Sequence, residues 1–354
     1  FALLVLARQG ESGNIAPWVG QFTAALSFLL VGAGVHTVQT AGLALATDLT
    51  PPESHPRVVG LMYVMLLLGM IVSALAFGAL LVDFSPGRLV KVIQSAAIAT
   101  LALNVIAVWK QEPRRPERGV MAPRPDPSFR DAWLKFCEGE HTVRRLAIVG
   151  LGTMAFGMAD ILLEPFGGHV LNLTVSATTL LTALFAAGGL IGFGLASKVI
   201  AAGADAYVVA RRGATIGLPA FVLVMAAAPL QQPILFVLGN FLIGFGGALF
   251  GHGTLTATMN RAPSEQVGLA LGAWGAVQAT AAGLGMAFSG AIRDIVNAIE
   301  AAMSPVTAGS ASATGYLAVY GIEIGLLLVT ILVTAPLVRT ALDGTEPVSS
   351  EAVA

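Results

Sequence analysis

Charge is what this sequence has least of. Of its 354 residues, only 11 % are Asp, Glu, Lys or Arg, against roughly 25 % in an ordinary soluble domain. A chain so short of charge cannot clothe a water-facing surface, and this excludes an ordinary soluble globular domain. Cysteine is nearly absent: Cys137 stands alone, so no internal disulfide can form. The net charge is −1, and without a basic excess nothing points to nucleic acid. No phosphate-binding loop, zinc-ligand set or metalloprotease helix appears. No nucleophile stands with a base, so the chain reads as a non-enzyme.

What the sequence has in quantity is apolar residues, at 56 %, and 41 glycines. Crossing a bilayer takes about 20 apolar residues in helical form. Nine runs qualify: 18–47, 57–82, 88–109, 145–163, 174–199, 212–229, 232–259, 266–292 and 314–338. Clusters of Pro and charge separate them, as in Thr50-Pro51-Pro52-Glu53. The fold class is therefore an all-α membrane protein. The opening run, Phe1 to Leu6, is too short to span and reads as the end of a helix that begins upstream.

Direction follows from Lys and Arg in the connections, which favour the cytoplasmic side. With the 110–145 loop inside, that side holds Arg57, Lys110, Arg114, Arg115, Arg118, Arg124, Arg130, Lys135, Arg144, Arg145, Lys198, Arg211, Arg212, Arg261 and Arg339. The other side holds Arg8, Arg88, Lys91 and Arg293. The 15-to-4 split accounts for all 19 cations and puts the central loop and the C-terminus in the cytoplasm. Within the loop, Pro113 to Pro127 reads as an extended linker. Ser128-Phe129-Arg130-Asp131 fits a capping box. Phe129, Trp133, Phe136 and Cys137 then recur at helical spacing, which predicts a short amphipathic helix on the membrane surface or docked on the bundle.

Two stretches about 210 residues apart are alike. Gly32-Ala-Gly34, Asp48, Pro51, Glu53 and Val59-Gly60-Leu61 are answered by Gly244-Phe-Gly246, Asn260, Pro263, Glu265 and Val267-Gly268-Leu269. Two parallel halves joined by a basic cytoplasmic loop are the plan of the major facilitator fold. The expected organisation is an incomplete N-terminal half over 1–110, a linker with an amphipathic helix over 111–144, a six-helix half over 145–340 and a tail over 341–354. On this plan of two parallel six-helix halves, the first two to three helices are missing from this chain.

Ionisable residues inside spans are functional candidates because lipid penalises charge. Lys91, Asp160, Glu164 and Glu323 are the candidates here, with Asp160 and Glu164 on one helix face. The plain alternative is that these acids bond neighbouring helices or face the interface. His36 and His252 also lie inside spans. A neutral imidazole can ligate a metal, including the magnesium of a chlorin, or bond a neighbouring helix. Gly247-xxx-Gly251, Gly268-xxx-Gly272, Gly32, Gly34 and Gly42 read as helix-packing positions. Asp48 and Arg57 flank Thr50-Pro51-Pro52 and are expected to pair or to cap helix ends there as a hinge.

Several runs resemble the PucC/LhaA proteins of purple phototrophic bacteria, the bacteriochlorophyll delivery branch of the major facilitator superfamily. These are Gly32-Ala-Gly-Val-His36-Thr-Val-Gln39-Thr-Ala-Gly-Leu-Ala-Leu-Ala-Thr-Asp48, Arg57-Val-Val-Gly-Leu-Met-Tyr, Asp83-Phe-Ser-Pro-Gly-Arg88 and Trp109-Lys-Gln-Glu-Pro113. The second half adds Asp160-Ile-Leu-Leu-Glu164-Pro-Phe-Gly-Gly168 and Gly272-Ala-Trp274-Gly-Ala-Val-Gln278. One departure is His169, where a Gln is expected after the Gly-Gly pair. The resemblance implies an assembly factor for light-harvesting antenna, LH1 or LH2, in the inner (intracytoplasmic) membrane. It would bind or deliver bacteriochlorophyll, dock antenna subunits, and meet the reaction centre or pigment-synthesis enzymes. It strengthens His36 and His252 as pigment ligands, with His36 at the chlorin magnesium and Gln39 bonding a ring carbonyl or fixing the imidazole. Asp48, Arg57, Asp160, Glu164, Trp274 and Gln278 are then structural or hinge positions. The competing functions are a small-molecule transporter of the facilitator type and a pigment-free scaffold.

Overall fold

The computed structural model describes residues 13, 16–51, 55–109, 129–139, 141–261, 267–303 and 313–343. Its elements are α1 (Pro17–Asp48), α2 (His55–Leu80), α3 (Pro86–Val108), α4 (Phe129–Cys137), α5 (Thr142–Asp160), α6 (Leu163–His169), α7 (Val175–Ala201), α8 (Ala206–Leu230), α9 (Pro233–Arg261), α10 (Val267–Met303) and α11 (Thr314–Asp343). Among the described residues there is no strand. Nine stretches of the described residues, one of them α5 and α6 together, are long and apolar enough to cross a bilayer. The chain is a multi-pass α-helical membrane protein.

Local chemistry sets the helix ends. Pro86 opens α3, and the Ser85 side chain accepts from the Arg88 N–H at 3.1 Å. Thr174 does the same for α7, accepting from the Ala177 N–H at 3.2 Å. Asp205 accepts from the Tyr207 and Val208 N–H groups at 2.8 and 3.2 Å and caps α8. That cap starts α8 six residues before the expected 212, because Arg211 and Arg212 lie inside the helix and do not bound it. Pro165 lacks the N–H that would reach back to the Ile161 carbonyl. The expected 145–163 span accordingly breaks after Asp160 and resumes as α6. The helix expected over 266–292 runs on to Met303. Arg293 and Asp294 end the apolar stretch, but the Ala-rich turns beyond them favour helix. The stub Phe1–Leu6, the linker from Pro113 to Pro127, Ser128 of the capping box and the tail beyond Asp343 lie outside the described residues.

The chain forms two compact units. One takes residues 1–66 with 85–112, and so holds α1, the first part of α2, and α3. The other takes residues 67–84 with 113–354. In this second unit the end of α2 meets α7: the Ser176 hydroxyl donates to the Gly78 carbonyl at 2.7 Å, and Leu180 packs on Gly78. The core lies among α5, α6, α8, α9 and α11. Phe166 is its hub, with Phe236, Tyr316 and Tyr320 ring centres at 5.4, 5.5 and 5.5 Å. The amphipathic helix α4 touches α5 and α10.

Glycine brings the second unit's helices together, at positions other than those expected. A Cβ at Gly188 or Gly192 of α7 would strike the backbone carbonyls of Phe241 or Phe245 in α9, and one at Gly244 would strike Phe185. At Gly213 and Gly253 a Cβ would come within 2.5 Å of the Gly246 oxygen and 2.7 Å of the Ala206 oxygen. By contrast, among the described residues a Cβ at Gly32, Gly34, Gly251, Gly268 or Gly272 would have nothing within 4 Å, and one at Gly42 or Gly247 would meet side chains only at an ordinary 3.6 Å. The Gly-xxx-Gly spacing gave the right chemistry at the wrong glycines. Spacing puts two glycines on one face without saying which face meets a neighbour.

Candidate functional site

The large concavity in the first unit is a groove of about 910 Å³ built by α1, α2 and α3. Its wall is almost wholly apolar, with Leu30, Val35, Val38, Met62 and Leu101 among its side chains. The glycines of α1, Gly34 and Gly42, open the wall where a side chain would otherwise project. Four polar side chains interrupt it: Gln39, Tyr63, Thr100 and Asn104. The Asn104 amide donates to the Thr100 carbonyl at 2.8 Å. That ties down its nitrogen and leaves its oxygen available as an acceptor. An apolar cleft with a few placed polar groups is the usual form of a small-molecule site.

Of the residues singled out from sequence, Gln39 lines this groove. His36 stands one turn before it on α1, and its side chain lies outside the described residues. The side chains of Asp48, at the end of α1, and Arg57, in the first turn of α2, also lie outside them, and so does the expected pairing. His252 is in α9 of the second unit, half-buried, with its ring 4.4 Å from the Phe193 ring. Its Nδ1 is buried and has no hydrogen-bond partner. The two histidines thus belong to different units.

Of the remaining candidates, Trp274 and Glu164 bond neighbouring helices. The Trp274 Nε1–H donates to the Thr254 hydroxyl at 3.3 Å and ties α10 to α9. Gln278 is half-buried one turn on. Asp160 and Glu164 are both exposed, and the Thr182 hydroxyl of α7 donates to Glu164 at 2.8 Å. His169 ends α6, with Nδ1 3.1 Å from the Tyr316 hydroxyl. Arg261 pairs with Asp205 at 3.1 Å and lies over the Tyr207 ring at 5.2 Å, joining the end of α9 to the start of α8. Sequence reading missed Tyr63, Thr100 and Asn104. Only the crossing of α1, α2 and α3 brings them to Gln39.

The comparisons with known proteins agree on the kind of molecule. The family model described as PUCC protein matches residues 1–342. Protein PucC of Cereibacter sphaeroides is 51 % identical over 342 residues, which cover 97 % of this chain and 73 % of that protein. The bacteriochlorophyll synthase 44.5 kDa chain of Rhodobacter capsulatus is 27 % identical over 270 residues, 73 % of this chain and 61 % of that protein. Among solved structures, a bacterial homologue of the human lysosomal transporter Spinster, inward-facing and occupied, superposes with a TM-score of 0.64 at 17 % identity. The match covers 98 % of this chain and 83 % of that one and shows the major facilitator fold. With a family match over residues 1–342 and a relative 51 % identical over 97 % of the chain, the chain belongs to the PucC protein family.

Proposed function

We propose that this protein is an assembly factor for the light-harvesting antenna of a phototrophic bacterium, and that it holds bacteriochlorophyll in the groove of α1, α2 and α3. The observation that carries the reading is the groove itself: about 910 Å³, apolar, and lined by Gln39 from the run that resembles the pigment-delivery proteins. A chlorin offers an apolar macrocycle and tail, carbonyls that accept hydrogen bonds, and a magnesium that takes one axial ligand. Leu30, Val35 and Met62 suit the first, the Gln39 amide suits the second, and a neutral imidazole at His36 suits the third. The relative named as a bacteriochlorophyll synthase chain supports a pigment-linked role. In this reading the antenna subunits are the receiving partners, and His252 is a second candidate ligand in the other unit.

The test is the absorption spectrum of the purified protein, wild type against His36→Leu. Co-purified bacteriochlorophyll that falls severalfold in the variant, with cellular antenna content falling alongside and protein level unchanged, is the expected result. A variant with full pigment and normal antenna would make His36 a packing residue. Saturable uptake of a polar solute by a colourless protein would favour the transporter. The cytoplasmic placing of the central loop belongs to the same proposal and has its own probe, since Cys137 is a half-buried free thiol at the end of α4. It should escape an impermeant thiol reagent in intact spheroplasts and react after lysis.

A further inference from the structure

Glu323 lies on α11 about 13 Å in from Thr314, at 1.5 Å rise per residue. Its side chain is 0 % exposed, and neither carboxyl oxygen has a hydrogen-bond partner. Three residues earlier on the same helix face, Tyr320 is also 0 % exposed, and its hydroxyl likewise has no partner. The Tyr320 ring is held edge-on by Phe166 at 5.5 Å and against Phe221 at 6.3 Å. Two orphan oxygen groups therefore sit one turn apart in the buried core of the second unit.

Charged and titratable groups on the elements packed against α11 bond other residues or lie toward the helix ends. On α11 itself, Tyr316 bonds His169 of α6, and Arg293 of α10 lies over the Tyr316 ring at 5.6 Å. Arg293 also pairs with Asp294 at 2.6 Å. On α5, Asp160 is exposed at the end of the helix, and Arg144 and Arg145 lie in its first turn, with the Arg145 Nε buried there and unbonded. On α8, Tyr207, Arg211 and Arg212 lie in the first two turns, with Tyr207 under Arg261. Among the described residues no cation is bonded to the Glu323 carboxyl, and neither of its oxygens has a partner.

A bare carboxylate in such a place would be an unpaired charge in an apolar interior, which costs several kcal/mol. The neutral acid avoids that cost. Its O–H can donate and its C=O can accept, and the Tyr320 hydroxyl is the orphan group on the same face that could serve either role. We propose that Glu323 and Tyr320 form a proton-binding site inside the second unit, whose carboxyl carries a proton while the bundle is packed and releases it only when α11 parts from α5 and α8. Proton release and loosening of that packing are then two readings of one equilibrium. The proposal stands apart from the pigment reading and does not depend on it.

The test is infrared spectroscopy of the purified full chain in detergent at neutral pH. The expected result is a protonated-carboxyl C=O band that shifts slowly in D2O and is missing, by the intensity of one carboxyl, from Glu323→Gln. A spectrum that this variant leaves unchanged would overturn the proposal. If Glu323→Gln does not accumulate, Tyr320→Phe decides the pairing. The band should move because its partner hydroxyl is gone, and an unmoved band would overturn the site as proposed.

Discussion

The three helices α1 to α3 and the five long helices from α7 to α11 are equally apolar and unequally buried. Their spans have mean hydropathies of 1.5, 2.3 and 1.8 in the first set and 1.2 to 2.2 in the second. Yet only 6–11 % of the residues in the first set's apolar stretches are buried in the structure, against 28–44 % in the second's. Trp18, Phe28, Val31 and Leu103 are exposed in the first set, while Phe221, Phe236 and Leu327 are fully buried in the second. Hydropathy reports that a helix prefers lipid to water. Lipid tails and Leu side chains are equally apolar, so it does not report whether the helix faces lipid or another helix. Small residues at close approaches carry that information, and these cluster in α7, α8 and α9.

Substitutions can break or sharpen this contrast. The largest effect is expected from Gly192→Leu, which would drive a side chain into the Phe245 carbonyl of α9. Backbone cannot yield as a side chain can, so a loss of about 3 kcal/mol or more is expected. It should appear as a large fall in thermal midpoint in detergent, or as failure to accumulate. Gly32→Leu in α1 meets nothing within 4 Å and should stay within about 0.5 kcal/mol, or gain slightly from helix propensity. Equal losses at the two sites would break the comparison.

A middle effect is expected from Trp274→Phe. It removes the buried hydrogen bond to Thr254 while keeping most of the ring volume, and should cost on the order of 1 kcal/mol by thermal midpoint. Gln39→Leu in the groove should leave the midpoint within about 0.5 kcal/mol while lowering co-purified pigment. A midpoint loss at Gln39 matching that at Trp274 would show that the groove is held together by its polar wall. A small effect that depends on salt is expected from Asp205→Asn. Its pair with Arg261 is partly exposed, worth about 0.5–1 kcal/mol and weakened by salt. The difference from wild type should shrink in high salt, and a difference that salt leaves untouched would show that the N-cap bonds to α8 dominate.

Most spans could be read from sequence because each needs only its own residues. A bilayer asks for a long apolar run, and local signals such as Ser85-Pro86 and Thr174 mark where it starts. The misplaced ends have local physical reasons too: Asp205 caps α8 ahead of two arginines, Pro165 breaks the fourth span, and α10 continues where its apolar run stops. Gln39, which lines the groove, was singled out from the sequence because it sits in a run that resembles a family. Tyr63, Thr100 and Asn104 were not, since each is an isolated polar residue in an apolar helix with nothing in its own neighbourhood to mark it.

By itself, the sequence determined that the chain crosses a membrane many times, where most crossings lie and which family its runs resemble, since apolar length, caps and motifs are properties of contiguous residues. Only the tertiary structure decided which glycines meet a backbone, which polar residues share a groove with Gln39 and that Glu323 is buried beside Tyr320 without a partner. Those facts depend on the rotation and crossing of helices far apart in the chain. In an apolar solvent, many rotations of a helix satisfy hydropathy equally well, and packing between helices selects one.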